Sequence, residues 1–146
     1  MKLVLDASVA IKWVIRDPAV ETDVDKAIEV LRGIRERTIQ AIEPAHWRIE
    51  ILAVIARARP QRVALILGIL ASLPFEEAAA SSCLRLAADI SIRLNHHLFD
   101  TLYHAIALEE GATLVTADET YFAKARAIGS VQRLADFTKQ ESSSPL

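Results

Sequence analysis

Four acids stand where a carboxylate can do chemistry. Asp6 directly follows the apolar run Lys2 to Leu5, and Asp118 directly follows the run Ala112 to Ala117. Asp100 stands where a helical pattern begins. Glu50 lies inside the segment after Pro44, and its neighbours three and four residues away are His46, Trp47, Ala53 and Val54, so it sits beside an apolar stripe. Singly, each has an ordinary role. Asp6 reads as a loop or cap residue, Asp100 as an N-cap, Asp118 as a cap for the helix of Tyr121, and Glu50 as a solvated or ion-paired side chain. Gathered in one place, all four cannot stay ionised. Two like charges about 4 Å apart repel by about 4 kcal/mol at an effective dielectric near 20. Several such pairs rival a whole domain's stability of about 5–15 kcal/mol. A divalent cation removes the conflict, and an all-oxygen ligand set suits magnesium or manganese. Such an ion can lower the pKa of a water and stabilise a phosphodiester under attack. Ser8 and Thr116, each two residues from one of these aspartates, carry hydroxyls able to hold a carboxylate or a metal-bound water.

The elements that must position these groups follow from apolar periodicity. Lys2 to Leu5 reads as a buried strand. A helix over Val9 to Ile15 follows, with Ser8 at its cap, and Asp17-Pro18 breaks it. Thr22 or Asp23 caps the next helix, which runs to about Arg37 on the stripe Ala27, Val30, Leu31 and Ile34. Thr38 to Glu43 is a short strand. Pro44 suits the first turn of a helix over Ala45 to Ala58. Helices over Val63 to Leu73 and Ser81 to Leu94 flank a brief strand at Phe75 to Ala78. A helix opening at Asp100 ends at Gly111, since glycine enters the left-handed conformation without steric cost. The run Ala112 to Ala117 is a strand covered on both faces. A helix over Tyr121 to Ile128 and a strand at Val131 to Leu134 complete the pattern. Strands alternating with helices mean parallel crossover units and an α/β fold. In such a sheet ligands bind beyond the carboxyl ends of strands, where Asp6 and Asp118 stand.

At 146 residues the chain reads as one domain over 1–138, with a polar tail over 139–146, ending in QESSSPL, expected to be disordered. A core built from 52% hydrophobic but only 5% aromatic residues is aliphatic, and a net charge of −2 argues against gripping nucleic acid by a broad basic surface. The single Cys83 cannot form an internal disulfide. It reads as a buried thiol, in keeping with a reducing, cytoplasmic setting. MKLVLDAS has no long apolar core and does not read as a signal peptide. The run Val63 to Leu73 is too short to span a bilayer, so no membrane association is expected.

The residues LDASVAIKW at the start, Pro44 to Glu50, and FDTLYHAIALEEGATLVTADETYF in the second half resemble the PIN-domain ribonucleases, in particular the VapC-type toxins of prokaryotic toxin–antitoxin pairs. The resemblance covers nearly the whole chain. It implies a three-layer fold with a central parallel sheet flanked by helices and the acids gathered at one edge. It carries over Asp6, Glu50, Asp100 and Asp118 as the metal-binding, catalytic acids, with Ser8 and Thr116 as supporting hydroxyls. It implies endonucleolytic cleavage of RNA by a water activated by Mg2+ or Mn2+, a homodimer, and a cognate antitoxin protein covering the active site. One departure stands out: a polar residue, often Asn, commonly follows the helix acid, and here the segment is Glu50-Ile-Leu-Ala-Val.

Other residues invite weaker readings. His46, His96, His97 and His104 lack zinc-ligand spacing. His104 lies one turn from Asp100, and a packing role is the simpler account. Lys12 is a candidate phosphate contact and Trp13 a core residue. The groups Arg32, Arg35, Arg37 and Arg57, Arg59, Arg62 suit helix ends as well as RNA phosphates. A haloacid-dehalogenase-like phosphatase also begins with an aspartate after its first strand, but it needs a second aspartate two residues on, where this chain has Ser8. A non-catalytic module that binds a metal or a partner is the alternative of a different class.

Overall fold

The computed structural model describes residues 1–139. Five strands, β1 (Lys2–Leu5), β2 (Gln40–Glu43), β3 (Phe75–Glu77), β4 (Thr113–Thr116) and β5 (Val131–Arg133), form one all-parallel sheet in the order β3-β2-β1-β4-β5. Among the described residues seven α-helices connect them: α1 (Ala7–Ile11), α2 (Val24–Arg35), α3 (His46–Ala58), α4 (Val63–Ser72), α5 (Leu84–Leu94), α6 (Leu98–Glu109) and α7 (Glu119–Ala125). The result is the three-layer α/β architecture expected from the alternation of strand and helix patterns.

The strand order decides where the site lies. From β1 the chain winds outward through β2 to β3, then returns to place β4 on the other side of β1 and winds out to β5. The switch of direction falls between β1 and β4, and the ligand crevice of an open α/β sheet is expected beyond their carboxyl ends. The central strands are buried as far as their last residues, Leu5 and Thr116. Register pairs Leu3 with Thr113, Val4 with Leu114 and Leu5 with Val115, so Asp6 leaves the sheet beside Thr116. Trp13, Trp47, Tyr103 and Tyr121 are fully buried and supply the few aromatic anchors of an otherwise aliphatic core. Cys83 is buried without a disulfide.

Several boundaries differ from the sequence reading. The first helix starts at Ala7 and not Val9, with Asp6 at the N-cap position, so Ser8 is not a cap. Its hydroxyl bonds to Asp6 instead. Helix α6 starts at Leu98 with His97 as N-cap, which moves Asp100 from the cap into the first turn. Helix α7 begins at Glu119 and ends at Ala125, earlier than the expected span, because Asp118 caps it by accepting from Tyr121 N at 3.0 Å. Gly111 adopts φ +62° directly after the end of α6, as its glycine identity requires. Apart from Lys139, the tail expected over 139–146 lies outside the described residues. No helix among the described residues is long and apolar enough to cross a membrane.

Candidate active site

Asp6 is the centre of the site. It is nearly buried at the tip of β1, where its backbone N–H completes the ladder to Val115 O at 3.0 Å. Its Oδ2 accepts from Ser8 Oγ at 2.6 Å and from Thr116 Oγ1 at 3.0 Å. Each hydroxyl accepts in turn from the chain leaving β4: Ser8 Oγ from Ala117 N at 3.2 Å, and Thr116 Oγ1 from Asp118 N at 3.0 Å. Two neighbouring strand ends are thus laced together by hydroxyls that both donate and accept, and the aspartate's orientation is set by that lacing.

The other acids arrive on helices. Asp6, Glu50 and Asp100 each offer a ligand atom within 4.8 Å of the other two. Glu50 projects from the second turn of α3, and its Oε2 accepts from the hydroxyl of Tyr103 on α6. Asp100, one turn before Tyr103 on α6, also belongs to a second group of the same tightness with His96 and Asp118. Asp118 therefore joins the site through Asp100 and not through Asp6 and Glu50. One of its oxygens already caps α7. His96 Nε2 lies 2.7 Å from Asp100 Oδ2.

Electrostatics mark the cluster as short of positive charge. Burial first, then repulsion from Asp100 and Glu50, outweighs the Ser8 and Thr116 hydrogen bonds and raises the Asp6 carboxyl from 3.8 to about 7. Glu50 is raised too, by burial and by Asp100, against the lowering effect of the Tyr103 hydroxyl. The Tyr103 and Tyr121 phenols are pushed up, chiefly by burial, and remain neutral donors. A buried aspartate raised to about 7 and a glutamate raised with it, presented with Asp100 as an all-oxygen set, fit a hard divalent cation.

Four residues here were not singled out from the sequence as parts of the site. Tyr103 lies three residues after Asp100, hence on the same helix face, and that spacing was the available signal. His96 stands four residues before Asp100, a spacing a search for zinc patterns overlooks. Tyr121 packs its ring 4.7 Å from His96. Glu43 ends β2 as Asp6 ends β1. It is buried, accepts from Leu5 N at 2.7 Å through Oε1, and its other oxygen has no hydrogen-bond partner. Burial raises its carboxyl well above the usual range, and the Asp6 charge adds to that.

Several weaker candidates resolve otherwise. His104 is fully buried: Nε2 donates to Gly129 O at 2.7 Å, which leaves Nδ1 to accept from Tyr121 OH at 2.8 Å. It packs and does not enter the crevice. Lys12 is buried in an ion pair with Glu21 at 2.5 Å, so its proposed contact with a phosphate is not available. Trp13 is core, donating from Nε1 to Ala27 O at 3.0 Å.

The PIN domain family model matches residues 3–128. Among solved structures, the chain is similar to one described as the crystal structure of VapBC2 from Rickettsia felis bound to a DNA fragment from their promoter. The identity is 17% and the TM-score 0.64, over 91% of this chain and 98% of the other. At that identity the likeness is one of fold. No curated protein matches the sequence significantly.

Proposed function

The chain belongs to the PIN-domain family, and from that premise we propose that it is a metal-dependent endoribonuclease, the VapC-type toxin of a type II toxin–antitoxin pair. The observation that carries this reading is the convergence of Asp6, Glu50 and Asp100 at the switch point of the sheet. Residues 1–138 are taken as the nuclease domain.

Asp6 and Asp100 would hold the principal Mg2+ or Mn2+, with Glu50 and Asp118 as further ligands or as acceptors that orient water. The cation would supply Lewis acidity, lowering the pKa of a water and offsetting charge on the phosphodiester. The chain's own residues do the rest. Ser8 and Thr116 hold Asp6 in one orientation, so its second oxygen is presented without reorganisation. Tyr103 fixes Glu50 at the crevice wall through its hydroxyl. Beside a cation the Asp6 carboxyl, raised to about 7 without one, would give up its proton. RNA is the substrate. An antitoxin protein would shield the crevice, and a second copy of the chain would pair through the exposed apolar side of α4.

The test is cleavage of total cellular RNA by purified, antitoxin-free protein, with Mg2+ or Mn2+ and then with chelator, beside Asp6→Asn. Metal-dependent cleavage lost in the variant is the expected result. Metal binding without cleavage of any RNA supplied would favour a non-catalytic module.

A further inference from the structure

His96 is held with more care than a surface histidine requires. The chain enters it from Asn95, which terminates α5 in the left-handed region at φ 48°. His96 N donates to Ser91 O at 3.1 Å, and Ser91 Oγ donates back to His96 O at 2.5 Å. The ring packs 4.7 Å from Tyr121, with one nitrogen on Asp100 and the other on Lys124.

Those two partners decide the ring's protonation pattern. Lys124 Nζ stands 3.3 Å from Nδ1 and also donates to Asn95 O at 3.1 Å. An ammonium only donates, so Nδ1 is the accepting nitrogen. The ring proton then sits on Nε2 and points at Asp100 Oδ2, 2.7 Å away. A metal-ligating histidine needs the opposite arrangement, with a bare nitrogen facing the cation and the proton on the far side. His96 lies close enough to Asp100 and Asp118 to be a ligand, yet Lys124 sets the wrong tautomer for one.

We propose that His96 is a positioning residue: Lys124 fixes its Nε2–H tautomer, and that N–H holds Asp100 in the orientation in which it would serve as a metal ligand. The device rests on the metal-dependent reading above.

The test uses the full chain labelled with 15N in histidine. Nitrogen shifts of the metal-free protein are expected to show His96 protonated at Nε2 and unprotonated at Nδ1, and to keep that pattern when Mg2+ is added. Calorimetric Mg2+ titration is expected to give roughly tenfold weaker affinity for His96→Ala. His96→Gln, whose amide nitrogen can stand about where Nε2 stands, is expected to stay within about threefold of the wild type. Lys124→Met is expected to populate both tautomers. A bare Nε2, a proton lost from Nε2 on Mg2+ binding, or undiminished Mg2+ affinity in folded His96→Ala would overturn the role while leaving the nuclease reading intact. Failure of the wild type to bind Mg2+ at all would overturn both.

Discussion

Thr116 Oγ1 donates to Asp6 Oδ2 at 3.0 Å, tying the tips of two adjacent strands that lie 110 residues apart in the chain. The same oxygen accepts from Asp118 N, so one hydroxyl couples the buried acid to the turn that carries the last one. Thr116→Val keeps the shape and removes both bonds. The half-buried Asp118 N–H and the buried Asp6 Oδ2 each lose a partner, and a stability loss of about 1–3 kcal/mol is expected by urea denaturation. Ribonuclease activity should fall further than that of Ser8→Ala, because Thr116 is buried in the sheet and Ser8 lies nearer solvent. Equal stability of Thr116→Val and wild type would show the lacing to be idle.

The acid cluster should make the metal-free protein less stable as pH rises. Asp6 titrates near 7 when folded against 3.8 when unfolded, so the folded state binds its proton more tightly. The associated stability is fully present below about pH 4 and is lost as pH rises through about 7. At roughly 1.4 kcal/mol per unit, the full loss from 3.8 to about 7 is on the order of 4 kcal/mol. Glu43 and Glu50, also raised, act in the same direction. Thermal melts with chelator should give a higher Tm at pH 5 than at pH 8. Asp6→Asn should flatten the difference and stabilise the protein at pH 8 while abolishing cleavage. Saturating Mg2+ should restore the wild type at pH 8. A profile rising with pH in chelator would contradict the burial of an uncompensated acid.

Tyr103→Phe removes only the hydroxyl that holds Glu50. The ring stays in the core, where it stacks 5.2 Å from His46. Stability should change by no more than about 1 kcal/mol. Freed of its donor, Glu50 is expected to sample more rotamers, and kcat for RNA should fall roughly tenfold with KM little changed. An equal fall in affinity for RNA would instead place Tyr103 in contact with substrate.

Helix α4 buries Ile66 and Leu70 and leaves Leu65 and Leu67 46% and 47% exposed. An exposed leucine pair on a ten-residue helix without a charged side chain suits an interface between copies. Light scattering at micromolar concentration should give twice the chain mass for the wild type and a monomer for Leu67→Glu. A monomeric wild type would remove α4 from consideration as the dimer surface.

Much of this molecule was legible before its fold. Strand runs such as Leu3 to Leu5 and Leu114 to Thr116, the helical stripe Ala27, Val30, Leu31 and Ile34, and Gly111 as a helix stop are local signals. They depend on residue type and period alone, so one chain suffices to read them. Asp6 and Asp118 were conspicuous because each follows a buried strand. What local pattern could not supply was proximity. Only the order β3-β2-β1-β4-β5 brings β4 beside β1, and only that neighbourhood puts both the Ser8 and the Thr116 hydroxyls on the same oxygen of Asp6. Proximity also divided the acids, placing Asp6 and Glu50 in one group with Asp100, and Asp118 with Asp100 and His96 in another. The bond of Tyr103 to Glu50 came from the same source, since residues 53 positions apart leave no periodic trace in either helix; His96 stands only four residues from Asp100, but the loop that turns its ring onto that acid is not a periodic signal. Sequence determined which elements form and which chemistry the acids suit, because those follow from local sterics and charge. Tertiary structure decided which acid faces which partner, because strand order and helix packing are set by burial of the whole core at once.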